Sequence, residues 1–199
     1  MDNEFDPNFC YLRISSRVLM SVSDADNLTQ EFKIEIADNE DADVIGEIVV
    51  YCCHVPYLES EKISLYDAFD SVDADCEQMI SSIEHCEEDV AEAIGDYLHS
   101  LNRLWYVQFV EVKPEFRGRG LGRWALARFL QFHMSVNEAA IIRPGEYECS
   151  RTSLSEKLVK YWEYLGFKQL PHSHYLVASY RQLEPRLARP VGPILVREI

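Results

Sequence analysis

Basic residues are scarce in the first half of this sequence: positions 1–100 hold only Arg13, Arg17, Lys33 and Lys62 against 25 aspartates and glutamates. Such a half offers no cationic face to a nucleic-acid backbone, so direct nucleic-acid binding is not expected. No run approaches the roughly 20 apolar residues that a bilayer crossing needs. The opening residues Met1-Asp2-Asn3-Glu4-Phe5-Asp6 are acidic where a secretory leader is basic, and a cytoplasmic protein without membrane association is expected. The six cysteines, at 10, 52, 53, 76, 86 and 149, include no C-x-x-C pair, and neighbours 52 and 53 on a strand would face opposite ways. Free or buried thiols are expected, and no metal site: Cys52, Cys53 and His54, or His85 and Cys86, would each need distant partners. Glycine is sparse too, eight in 199 residues, which makes its clustering at 118, 120 and 122 informative.

The second half has the opposite charge. Residues 101–199 carry 15 Lys and Arg against 9 Asp and Glu, within an overall net charge of −15. With 47% apolar residues the chain can bury one sizeable core, and a single domain over 1–199 is expected. Strand-like alternation runs over 11–20, 32–37 and 44–54, with polar turns at 23–27 and 38–43, as in an antiparallel meander. Residues 58–96 then hold 13 acidic side chains and only Lys62 of positive charge, with Met79, Ile80, Ile83, Val90, Ala91, Ile94 and Leu98 at helical spacing. This reads as an acidic helical insert over 58–100, one short helix and two longer ones. A strand over 104–112, a helix over 122–135, a short strand over 139–143, a helix over 153–165 and a strand over 175–180 follow. Residues 181–199, with Pro185, Pro190 and Pro193, read as an extended arm that allows, without requiring, strand exchange in a homodimer.

The glycine cluster follows the strand through Val110-Glu111-Val112-Lys113-Pro114 into Glu115-Phe116-Arg117-Gly118-Arg119-Gly120-Leu121-Gly122-Arg123. A strand feeding a glycine-rich, arginine-bearing turn at the start of a helix is an anion cradle: the backbone can approach a ligand closely, and the first helical amides and the helix dipole favour a phosphate. No Lys-Ser or Lys-Thr follows the glycines, which excludes a Walker loop, and Arg123 stands where a dinucleotide fingerprint starting at Gly118 needs Gly or Ala.

What remains is Arg117-x-x-Gly120-x-Gly122 after a strand ending in Val-x-Val, and here the chain resembles the GNAT superfamily of N-acetyltransferases. A second segment, Leu154-Ser155-Glu156-Lys157-Leu158-Val159-Lys160-Tyr161-Trp162-Glu163-Tyr164-Leu165-Gly166-Phe167, is similar to that family's late helix and its Leu-Gly-Phe turn. The residues agree with a helix: Leu154, Leu158, Tyr161, Trp162 and Leu165 share one face, and Gly166 suits a C-terminal cap. The resemblance implies an α/β fold, a mixed central sheet flanked by helices, with the acidic insert placed before the fourth strand instead of helices between the first two. It also implies acetyl-CoA or another acyl-CoA as co-substrate. Val110 and Val112 would pair with the pantetheine arm, and Arg117, Gly118, Arg119, Gly120, Leu121, Gly122 and Arg123 would hold the pyrophosphate.

The proton-transfer roles are filled unusually. Trp162 stands at the position of the family's tyrosine acid, against the cofactor, and Tyr161 beside it is the candidate replacement. The family's strand-borne base matches Tyr106 and Gln108, which regular alternation places with Val110 and Val112, whereas Glu111 would point with Trp105, Val107 and Phe109 to the other side. His54, Glu47, His172 and His174 are further candidate bases, and Arg143-Pro144-Gly145 lies where an acceptor would enter. Trp124 and Phe129 read as core, and His133 as a helix C-terminal histidine favoured by the dipole. The expected reaction is acyl transfer to a primary amine, on a small molecule or protein and cationic if the acidic surface attracts it. A second reading is a non-catalytic protein of the same fold whose acidic helices bind a basic partner.

Overall fold

A computed structural model describes residues 10–18, 29–37, 43–145 and 156–187. The turns at 23–27 and 38–42, Cys149, Leu154, Pro190 and Pro193 lie outside the described residues. Three antiparallel strands come first, β1 (Tyr11–Val18), β2 (Thr29–Ala37) and β3 (Val44–His54), followed by four short helices: α1 (Val55–Glu61), α2 (Leu65–Asp70), α3 (Ala74–Glu84) and α4 (Glu87–Ile94). Then come β4 (Arg103–Val112), α5 (Leu121–His133), β5 (Glu138–Ile142), α6 (Glu156–Glu163), β6 (Lys168–Gln169), β7 (Leu176–Ser179) and α7 (Tyr180–Leu187). The seven strands form one mixed sheet in the order β1-β2-β3-β4-β5-β7-β6, and β4 with β5 is its parallel pair. The fold is therefore the mixed α/β sheet that was expected, with the acidic helices inserted before the fourth strand.

Each face of the sheet carries its own core. On one side Ile34, Ile48, Val50, Trp105, Val107 and Ala140 meet α5 through Leu121, Ala125 and Phe129, together with Trp162 of α6 and Leu183 of α7. On the other, Val49, Tyr51, Leu104, Tyr106, Ile141 and Val177 meet the insert through Leu58, Phe69, Met79, Ile80 and Val90. The insert thus covers a sheet face with its apolar stripe and leaves its carboxylates outward.

Three segments differ from the sequence expectation, one of them the short strand β6, which was not expected. The insert has four helices rather than three, because Lys62 in the left-handed region (φ +60) ends α1, and new caps restart the chain. Ser64 and Asp67 form a reciprocal capping box on α2, and the Asp73 side chain accepts from Cys76 N at 2.8 Å on α3. The extended arm expected from 181 is helical as far as Leu187. Gln182 holds it in place, accepting from Ser179 N at 2.8 Å and donating to the Ala93 carbonyl at 2.6 Å, while Leu183 is buried.

At the start of the parallel pair a buried carboxylate is fully engaged. Glu138 accepts from Trp105 Nε1 at 2.8 Å and from the Ser135 amide and hydroxyl at 3.2 and 2.8 Å, with Arg103 3.8 Å away. Cys10, Cys52, Cys53 and Cys76 are buried free thiols; burial pushes Cys53 up to about 12 and Cys52 and Cys76 higher still, so all three stay protonated. Within the insert, a cavity of about 310 Å³ has an apolar floor of Leu58, Ile63, Leu65 and Leu98 and a rim of Glu59, Glu84 and Glu87. No helix among the described residues is long and apolar enough to cross a membrane.

Candidate functional site: an open strand edge and a glycine cradle

Strand β4 changes neighbours halfway along. Its pairing with β5 runs from Arg103↔Glu138 to Val107↔Ile142 and stops, whereas its pairing with β3 continues to Val112. Residues 108–112 therefore have a free side. Lys113 N donates to the Ile45 carbonyl, and in an antiparallel ladder the groups directed at the partner alternate, so residues 109 and 111 face β3. The backbone groups of Val110 and Val112 are left on the open side. One is already used: the Val112 carbonyl accepts from Arg117 Nε at 2.8 Å.

This edge runs directly into the glycine turn. Gly118 and Gly120 both have φ +78, a conformation costly for any residue with a side chain, and Gly120 is the left-handed N-cap of α5. Gly122 serves a different purpose. A Cβ there would lie 2.7 Å from Val110 Cγ1, so only glycine lets the first turn of α5 rest on the open half of β4. Among the described residues the amides of Gly118, Leu121 and Gly122 have no acceptor, whereas the Arg123 amide donates to Tyr161 Oη at 2.8 Å. Three guanidiniums surround these donors. Arg117 is tied to Val112, Arg119 lies over the Phe116 ring at 5.7 Å, and Arg123 lies over the rings of Tyr161 and Tyr164 at 5.0 and 4.2 Å. Free amides at a helix start, ringed by arginines, form a site for a polyanion.

The late helix contributes Tyr161 to this site. Its hydroxyl sits over Gly122, 3.9 Å from where a Cβ would be, and burial raises the phenol above its ordinary value while the Arg123 amide opposes that shift. Trp162, expected against the cofactor, is 5% exposed and packs edge-on against Tyr161 and Phe167. It belongs to the core, and the neighbouring tyrosine reaches the cradle.

The expected facing along β4 is overturned by a bulge. Val49 pairs with Phe109 and Val50 with Val107, so Gln108 is an extra residue without an opposite. Beyond it the alternation reverses. Val110 and Val112 join Trp105 and Val107 on the α5 side, while Tyr106, Gln108 and Phe109 lie on the insert side. Glu111, opposite Glu47, shares that second face with Tyr106. Tyr106 is thus not on the cradle face, and burial raises its phenol far above its ordinary value, which removes it as a general base at neutral pH. Gln108 donates to Asp73 Oδ2 at 2.6 Å, locking the bulge to the N-cap of α3.

The remaining candidates lie elsewhere. His54 is exposed at the far end of β4, opposite Arg103. Glu47 is bound to Lys33 Nζ at 2.9 Å, and His172 and His174 are exposed in the turn before β7. Phe129 is core as expected; Trp124 is only partly buried against it, and His133 stacks on Phe129 at 4.4 Å. The sequence alone did not single out Tyr175, whose ring packs edge-on against Tyr106 at 6.5 Å on the insert face.

No family model and no curated protein matches this chain. Among solved structures it is similar to a mutant agmatine N-acetyltransferase in its apo form, with TM-score 0.40 and 12% identity over 73% of this chain and 74% of that one. It is similar to a Drosophila melanogaster polyamine N-acetyltransferase that forms N-acetylagmatine, with TM-score 0.40 and 14% identity over 74% of each chain. It is also similar to arylalkylamine N-acetyltransferase 2 from Aedes aegypti, with TM-score 0.39 and 12% identity over 68% of this chain and 56% of that one. Each of these structural neighbours is an N-acetyltransferase.

Proposed function

We propose that this protein is an N-acyltransferase that moves the acyl group of acetyl-CoA, or another acyl-CoA, to a primary amine. The observation that carries this reading is the continuity of the open edge of β4 with the glycine cradle. An arm bearing amides would lie beside Val110 and Val112 as an added strand, with the phosphates at its end directed at Arg117 to Arg123, because the free half of β4 runs straight into the cradle. The thioester carbonyl would lie where β4 and β5 part. The amine nitrogen forms a C–N bond to the carbonyl carbon, the C–S bond breaks, and the thiol leaves with a proton. Proximity and a backbone amide directed at the oxyanion supply most of the acceleration.

We assign Tyr161 to the cofactor cradle, and the departing thiolate takes its proton from water. The Tyr161 oxygen already accepts from Arg123 N, which leaves its own O–H free to donate, and burial keeps the phenol protonated. The proton released by the amine passes to water. The strongly acidic insert favours an acceptor that is cationic before it reacts.

Calorimetric titration with acetyl-CoA, paired with Gly120→Glu, tests the reading. Micromolar binding by the wild-type chain and none by a folded variant is the expected result. Absence of binding by folded wild-type protein would favour the second reading, a non-catalytic fold whose acidic helices hold a basic partner, which the core position of Trp162 keeps in view.

A further inference from the structure

The cavity in the acidic insert lies at the opposite end of β4 from the cradle. Helix α1 starts directly after β3, where Val55 N donates to the Asn102 carbonyl at 3.2 Å, and Leu98 and His99 belong to the short 3₁₀ turn that precedes β4. The parting of β4 from β5 after Val107 and the cradle beyond Val112 are roughly 13 and 30 Å further along the strand, at about 3.3 Å per residue. The cavity is therefore a separate site.

Its walls come from segments that are each pinned. Ile63 N donates to the Leu58 carbonyl at 2.9 Å at the end of α1, Ser64 and Asp67 cap α2, and Leu101 N donates to the Leu98 carbonyl at 3.2 Å. Val55, Leu58 and Leu98 are buried and line the cavity together with Ile63 and Leu65, so the floor is apolar and preformed. Its volume, about 310 Å³, is at the small end of the range for small-molecule sites, roughly 300–1,000 Å³. There is room for one apolar group and not for the row of anchors that a docked helix inserts.

The rim is acidic and lacks cations. Glu59, Glu84 and Glu87 line it, and neither Lys nor Arg is among the lining residues. His99 stands 3.6 Å from Glu87 and stacks on the half-exposed Tyr97 at 5.4 Å, which gives Glu87 a partner. The side chains of Glu59 and Glu84 make no hydrogen bond or ion pair among the described residues. An apolar floor beneath unopposed carboxylates complements a molecule with an apolar body and a positive head.

We infer that this cavity binds a small amine with an apolar body, whose hydrocarbon part fills the space over Leu58, Ile63, Leu65 and Leu98 and whose ammonium lies among Glu59, Glu84 and Glu87. Recognition needs both parts. A neutral molecule of the same shape leaves the carboxylates unmatched, and a polyamine without an apolar body leaves the floor in water. The site stands whether or not the chain transfers acyl groups, because it shares no residue with the cradle.

The probes are 4-phenylbutylamine, its neutral counterpart 4-phenylbutan-1-ol, and cadaverine, titrated calorimetrically into the full chain with and without saturating CoA. The phenyl amine should bind ~10-fold or more tightly than either of the others, whether or not CoA is present. The double variant Glu84→Gln, Glu87→Gln changes side chains that reach solvent; it should keep the fold and bring the amine to within about threefold of the alcohol. Ile63→Trp, which fills the floor, should weaken amine and alcohol alike, with denaturant unfolding used to check that the chain is folded. If Ile63→Trp does not fold, the charge variant decides alone. Equal binding of amine and alcohol, equal or tighter binding of cadaverine, amine affinity unchanged in the charge variant, or no binding of the phenyl amine would overturn the inference.

Discussion

The backbone amide of Arg123 donates to Tyr161 Oη at 2.8 Å, while the guanidinium of the same arginine covers the rings of Tyr161 and Tyr164. One residue thereby ties the late helix to the start of α5 twice. Tyr161→Phe removes the acceptor of a helix N-terminal amide and should cost about 1 kcal/mol, a fall in Tm of roughly 2–4 °C. The freed amide adds a donor to the cradle, so affinity for acetyl-CoA should hold within about twofold. Turnover should change little, because the hydroxyl lies at the cradle and not where β4 and β5 part. A large fall in the single-turnover rate would place the phenol in the chemical step instead.

Gly122 has no room for a side chain against the strand. Gly122→Ala puts a methyl 2.7 Å from Val110 Cγ1, and relieving that overlap by lifting α5 should cost about 1–3 kcal/mol. Acetyl-CoA affinity should drop together with stability, because the same shift moves the free amides away from the β4 edge. Gly145→Ala, with open space around its Cβ and no positive φ, is the matched control and should change neither.

Glu138 holds Trp105 Nε1 and both polar groups of Ser135 in a buried position. Glu138→Ala leaves these donors without an acceptor and should destabilise the fold by about 3 kcal/mol, measured by denaturant unfolding. A change under ~1 kcal/mol would mean that water enters to replace the carboxylate.

Burial, and next the neighbouring Glu87, raise Glu84 above the usual carboxylate range. A raised folded value means that the charged form weakens the fold above that value, and the penalty fades as pH falls through it towards the unfolded value. Glu84→Gln should therefore raise Tm modestly at pH 7, by roughly 1–2 °C for a largely exposed group, and give no gain below about pH 4. A gain of equal size at both pH values would show that packing, not charge, is responsible.

Much of this architecture can be read from residue spacing. The glycines at 118, 120 and 122 after an apolar strand announce the cradle, because few other arrangements need left-handed backbone and close approach within five residues. The meander and the acidic insert follow from periodicity, and the single mixed sheet is what the family resemblance implies. What spacing hides is anything that depends on tertiary contact. Lys62 closes a helix in a conformation usually left to glycine, Gln182 docks a proline-bearing segment through two side-chain bonds, and Trp162 turns into the core while Tyr161 reaches the cradle.

The extra residue at Gln108 makes β4 two strands of opposite parity joined end to end. Its first half obeys the hydrophobic core, and its second half is free to offer backbone to a ligand without turning Val110 and Val112 toward the acidic helices. Deleting that single residue would carry Glu111 under α5 and present Val110 and Val112 to the insert, inverting the site while shortening the chain by one. Any residue-by-residue correspondence drawn through this strand must therefore gain a position at 108, or every side chain beyond it will be assigned to the wrong face.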